Sequence, residues 1–177
     1  MIETLISSKT RVKLLMKFFL NSKNTAYLRS LEEEFGESTN AIRVELNRFE
    51  EAGFLASNAE GNKKIYSVNT KHPFFKVLNS LVMKVSGLEY VVDYVTKKLG
   101  DLQKVYLVGN LAKGQSTEII DLVLVGDNIN KNFLIEQIDK AEKKIGKKIR
   151  YVLYGTAEFK KHKIEEPGMH PLLIWSR

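Results

Sequence analysis

Residues 38–69, STNAIRVELNRFEEAGFLASNAEGNKKIYSVN, constrain this chain more than any other stretch. A capped amphipathic helix runs straight into two short β-type runs joined by a turn. Ser38 offers an N-cap oxygen, Ile42, Leu46 and Phe49 recur at helical spacing, and Gly53 is a stop. Phe54-Leu55 and Ile65-Tyr66-Ser67-Val68 then flank Ala59-Glu60-Gly61-Asn62, a hairpin pattern. A helix with one side to bury and a polar side to present, followed by such a hairpin, is suited to lie on DNA.

Two more helices precede it. Residues 10–20 place Val12, Leu14, Leu15, Phe18 and Phe19 on a helical stripe, with Ser7, Ser8 and Thr10 as cap candidates. Residues 26–35 predict a short helix with Leu28, Leu31 and Phe35 on one face and Gly36 as its end. Three helices and a hairpin make a winged helix, expected over residues 1–72. In a helix-turn-helix the first turns of the second helix enter the major groove. Here those positions are Ser38, Thr39, Asn40, Arg43 and Asn47. Arg43 suits a guanine and Asn40 or Asn47 an adenine, whereas Ser38 and Thr39 suit capping and phosphate. The wing tip, Asn62-Lys63-Lys64, is expected along the backbone or minor groove. Arg48 and Arg11 are weaker phosphate candidates, and Glu32-Glu33-Glu34 should face away from phosphate. The plainer alternative is a protein-binding module in which these residues are merely solvated.

Charge must be sorted by face for that reading to hold. The 177-residue chain carries a net +7, which favours polyanion partners. Residues 1–72 hold 11 Lys/Arg against 9 Asp/Glu, a net of only +2, and residues 73–177 hold 17 against 12. Hydrophobic residues make up 44%, enough for a core. The absence of cysteine excludes disulfides and thiolate metal sites. Neither a signal-peptide layout nor a bilayer-spanning run is present, so no membrane partner and a cytoplasmic location are expected.

His72-Pro73 breaks the pattern. A long helix is predicted over residues 74–99, with Gly87 as a flaw, and residues 73–100 are expected to link the domains and support a homodimer. Beyond Gly100, strands are predicted at residues 105–108, 119–125, 149–154 and 172–175. Helices are predicted at residues 133–145 and 157–162. Residues 101–177 thus read as a small α/β domain, and the chain as α+β.

The run RVELNRFEEAGFL, followed by GNKKIYSVNTKHPFF, resembles the ArsR-like winged-helix transcriptional regulators. It looks like the branch in which the winged helix precedes a nucleotidyltransferase-like domain. Metal sensing is not carried over, because only His72, His162 and His170 are present and they are scattered. The stretch VYLVGNLAKGQSTEIIDLVLVGD resembles the opening of the nucleotidyltransferase fold. That resemblance implies a strand ending in Gly-Ser, an Asp-x-Asp strand and a later carboxylate, which together hold nucleotide and two Mg²⁺ ions. In this chain Gly109 is kept, Asn110 replaces the serine, Ile119 replaces the first aspartate, and Asp121 alone remains of the pair. Residues 149–153 offer no carboxylate. One carboxylate cannot hold two Mg²⁺ ions, so the domain is expected to be degenerate, without transfer activity or cofactor.

Gly109, Asn110, Lys113 and Asp121 are the candidates for contacting a nucleotide or other ligand, against a plain connecting turn. The cluster Lys140, Lys143, Lys144, Lys147, Lys148 and Arg150 reads as a solvated helix end or, more sharply, as a nucleic-acid contact. The expected function is a sequence-specific, dimeric regulator of transcription on double-stranded DNA. Its second domain would sense a ligand, dimerise or dock a protein partner. An active nucleotidyltransferase or nucleotide-binding protein, and a winged-helix interaction module, are the rivals.

Overall fold

The computed structural model describes residues 6–96, 99–161 and 171–177. Among them eight helices and two sheets form an α+β chain. It divides into two units, Met1–Val85 and Ser86–Arg177.

The first unit runs α1 (Lys9–Phe19), β1 (Thr25–Tyr27), α2 (Leu28–Phe35), α3 (Thr39–Glu51), β2 (Leu55–Glu60) and β3 (Lys63–Val68), then α4 (Phe75–Ser86), whose last residue opens the second unit. Local chemistry sets the helix starts. The Ser8 hydroxyl accepts from the Arg11 amide and caps α1, and the Ser38 hydroxyl accepts from the Ala41 amide and caps α3. Leu14, Phe18, Phe19, Leu31, Ile42 and Leu46 are fully buried and form the core. Phe19 lies at its centre, with ring centroids 6.4 Å from Phe49, 6.1 Å from Phe54 and 6.1 Å from Phe75. The Asn79 amide donates to the Phe19 carbonyl at 2.6 Å, which fastens α4 to the end of α1.

The strands pair antiparallel in the order β1-β3-β2. Two local expectations change here. Residues 26–27, read as helix, extend β1, with Thr25 opposite Ser67 and Tyr27 opposite Ile65. Three residues carry too little periodicity to betray a strand, and their pairing partner lies forty residues away in the chain, out of reach of any local window. Ala59 and Glu60, read as turn, belong to β2, leaving Gly61-Asn62 as a two-residue hairpin connection with Glu60 opposite Lys63.

The long helix expected over residues 74–99 is not continuous. It is two helices, α4 and α5 (Leu88–Val95), separated at Gly87. Gly87 has φ +85°, a left-handed conformation that strains any residue with a Cβ. A Cβ there would also meet the Ile145 side chain at 3.1 Å. Lys97 and Lys98 of the expected helix lie outside the described residues. Gly87→Ala is therefore expected to lower stability by about 1–2 kcal/mol, measured by urea unfolding; an unchanged midpoint would show that the break is not imposed by this residue.

The second unit continues from α5 through β4 (Asp101–Val108), α6 (Gly109–Ala112), β5 (Ile119–Asp127), α7 (Lys131–Ile145), β6 (Lys148–Tyr154), α8 (Thr156–Phe159) and β7 (Leu172–Ser176). Its sheet has the order β6-β5-β4-β7. Only β5 and β6 are parallel, because α7 provides the crossover that a parallel pair requires. Leu88, Val91 and Val95 of α5 and Leu134, Ile138 and Ala141 of α7 are buried, and the two helices pack together. Val105, Leu107, Ile120, Leu122 and Leu124 complete the core.

Candidate nucleic-acid interface

Helix α3 buries Ile42, Leu46 and Phe49, which turns Asn40, Arg43 and Asn47 to solvent. A groove of about 620 Å³ lies between this helix, α2 and the β2–β3 hairpin. Thr39, Arg43 and Asn47 line it from α3, and Asn62, Lys63 and Lys64 from the hairpin. Six of the residues singled out from the sequence thus converge. Ser38 stands outside the groove as the helix cap, and Asn40 is exposed beside it without lining it.

The opposite wall holds residues that sequence reasoning missed. Tyr27 and Arg29 line the groove from the start of α2. Arg29 stands in the first turn of α2, which starts at Leu28 rather than at residue 26. Glu32 also lines the groove. It was expected to face away with Glu33 and Glu34, but a helix puts residues three apart on one side, so Glu32 follows Arg29. Glu34, by contrast, turns inward and pairs with Lys17 at 2.6 Å.

Ion pairing sorts the cations. Arg11 binds Glu45 through two nitrogens at 2.9 and 3.1 Å, and Arg48 binds the same carboxylate at 3.0 Å. Arg11 is thereby engaged through two nitrogens, whereas Arg48 is held through Nη1 alone. Lys13 is held by Glu37 at 2.7 Å and by the Phe35 carbonyl at 2.8 Å. Lys64 is held by Glu50 at 2.6 Å, and Ser57 donates to the same carboxylate at 2.5 Å. The Lys64 and Ser57 hydrogen bonds hold the Glu50 carboxyl below its usual range, and Glu50 in turn raises the Lys64 ammonium. Lys63 lies 4.3 Å above the Tyr27 ring, a cation–π contact that leaves its charge uncompensated. Among the described residues, Arg29 and Arg43 have no side-chain hydrogen bond or ion pair.

In the second unit, Gly109 and Asp121 meet. Asp121 Oδ2 lies 2.5 Å from where a Gly109 Cβ would stand, so only glycine fits beneath that carboxylate. Arg150 sits opposite Asp121 in the β5–β6 register, and its Nε donates to Asp121 Oδ1 at 2.7 Å. That bond raises the Arg150 guanidinium further above its ordinary value. Asn110 and Lys113 belong to the segment that follows β4. The Lys113 and Gln115 amides donate to the Asn110 carbonyl, and the Gly114 amide to that of Leu111. Those three donors close a turn and are engaged within the segment. The basic cluster is partly engaged as well: Lys148 pairs with Glu142 at 2.6 Å, and Lys144 lies 5.4 Å above Tyr90.

His72 packs on Phe54 with centroids 4.3 Å apart and accepts the Phe74 amide, a structural role. His162 and His170 lie outside the described residues. No helix among the described residues is long and apolar enough to cross a membrane.

No family model and no curated protein matches this chain. Among solved structures it is similar to a provisionally assigned nucleotidyltransferase from Sulfolobus solfataricus, at 21% identity over 54% of this chain and 80% of that one, with a TM-score of 0.35. A likeness that shallow says nothing about activity.

Proposed function

We propose that the first unit is a winged helix that reads double-stranded DNA, and that the chain is a sequence-specific transcriptional regulator. One observation carries this reading. Arg29, Arg43 and Lys63, three of the unit's cations without an ion pair, gather on one groove with Thr39, Asn47 and Asn62. Most other described cations on its helices and hairpin are bound to glutamates. The near-neutral composition of residues 1–72 therefore conceals a local cluster of unpaired cations, which suits a polyanion. In this reading Arg43 donates to a guanine edge, Asn47 addresses the neighbouring base, and Lys63 follows the phosphates.

Self-association completes the proposal. Phe74 is 60% and Val77 63% exposed at the start of α4, an apolar pair suited to a second copy. A dimer would read half-sites about one helical turn, or a multiple of it, apart. The second unit then serves as a sensing or docking domain. The Asp121–Arg150 pair weighs against the nucleotidyltransferase rival, since a guanidinium already compensates the lone carboxylate that a metal ion would need.

Selection of bound genomic fragments at about physiological salt tests the reading, because non-specific phosphate contacts are weak there. Recovery of one palindromic motif is expected. Recovery of no motif, together with a stable protein complex, would transfer the assignment to an interaction module. On the selected site, Arg43→Ala should cost about 1–3 kcal/mol and relax one base position; unchanged affinity would remove Arg43 from recognition. The two wing lysines should differ. Lys63→Ala should reduce the slope of log K against log salt by about 0.9. Lys64→Ala should change it less, because Glu50 already balances that charge. Equal slopes for the two variants would contradict the sorting of charges.

A further inference from the structure

A second cavity opens on the first unit and shares no residue with the groove. Its volume is about 280 Å³, just under the ~300–1,000 Å³ of sites for drug-sized ligands, so its occupant is small. Leu15, Phe49, Phe54 and Leu78 supply apolar walls, and Arg11 and Arg48 also line it. Both arginines bind Glu45, which also accepts from the Ser8 hydroxyl at 3.2 Å. Burial pushes the Glu45 carboxyl up, but the Arg11 hydrogen bond and charge, the Ser8 hydroxyl and Arg48 outweigh it and leave the group below its usual range. Glu45 is therefore ionised at neutral pH. Two guanidiniums face one carboxylate, so one positive charge is in excess beside an apolar cavity. Arg48 meets Glu45 through Nη1 alone and its side chain is 58% exposed, which leaves donors for a second partner.

We propose that this cavity binds a small monocarboxylate with an aromatic or short aliphatic body, its carboxylate on Arg48 and its body against Phe49, Phe54 and Leu78. Each half of such a molecule answers one half of the site. The apolar walls favour burial of hydrocarbon, and a charge-assisted bond from a guanidinium fixes the carboxylate. An inorganic anion has no body to cover the walls, and an uncharged hydrocarbon leaves the excess charge without a partner. Arg48 and Phe49 belong to α3, the helix that also carries Arg43 and Asn47. An effect of the acid on DNA binding rests on the function proposed above; binding of the acid does not.

Benzoate is the probe, titrated into the full chain without DNA and followed by amide and guanidinium NMR. Saturable shifts at Ala52, Phe54 and Leu78 are expected, with benzyl alcohol and acetate each weaker by about ten-fold or more. Arg48→Gln should weaken benzoate by about ten-fold, while Arg11 stays on Glu45 and the spectrum reports an intact fold. Ala52→Leu, which places a larger side chain on the cavity wall and leaves both arginines in place, should weaken benzoate by about ten-fold. No saturable shift at about 20 mM benzoate, equal binding of benzyl alcohol, or unchanged affinity in Arg48→Gln would each overturn the proposal. Because the titration contains no DNA, its failure is distinguishable from failure of the DNA-reading assignment.

Discussion

Phe19→Ala is expected to destabilise the first unit by about 3–5 kcal/mol, the range for deleting a fully buried aromatic side chain. Phe19 has no exposed surface and touches the rings of Phe49, Phe54 and Phe75, so the cavity left behind borders the end of α3, the start of the hairpin and α4 at once. These neighbours come from three different elements and cannot collapse together without moving the backbone. A loss of this size is a large fraction of the stability of an ordinary small domain. Urea unfolding followed by circular dichroism measures it. A cost under about 1.5 kcal/mol, the level of a tolerated volume-conserving swap, would show that Phe19 is not the keystone of this core.

Lys17→Ala should cost about as much, roughly 3–5 kcal/mol, for a different reason. The Lys17 and Glu34 side chains are 9% and 13% exposed and meet at 2.6 Å across α1 and α2. Glu34 Oε1 is buried without a hydrogen-bond partner, so Lys17 is the main compensation for that carboxylate. Removing the lysine leaves a charge in the protein interior. Replacing both partners with methionine should recover most of the loss, because the desolvation of two ions disappears with the pair. The same unfolding experiment on the two single variants and the double variant decides. Additive losses in the cycle would show that the two groups do not depend on each other.

Much of the local structure was legible because it rests on chemistry within a few residues. Ser8 and Ser38 cap helices through amides three positions on, and Ile42, Leu46 and Phe49 share a face by periodicity alone. The main strands of the second unit stood out for the same reason, with β5 and β6 starting within a residue of their expected positions. β1 did not, because a three-residue strand exists only through its partner β3. The break at Gly87 was visible as a flaw; its depth follows from a positive φ and from Ile145, which lies fifty-eight positions along the chain.

The candidate interface divides in the same way. Arg43, Asn47 and the hairpin residues could be named from position in a helix and a turn. Which cations stay free could not, since Arg11, Lys17 and Lys64 are neutralised by glutamates fourteen to thirty-four residues distant. Sequence by itself determined the periodic elements, their caps and that Asp121 has no second aspartate two positions before it. The tertiary structure alone decided that Arg29 and Glu32 enter the groove, that Lys64 is engaged by Glu50, and that Arg150 stands against Asp121. The physical reason is range: capping and amphipathicity act over one or two turns, whereas a charge is freed or neutralised by whatever the fold brings within about 4 Å of it.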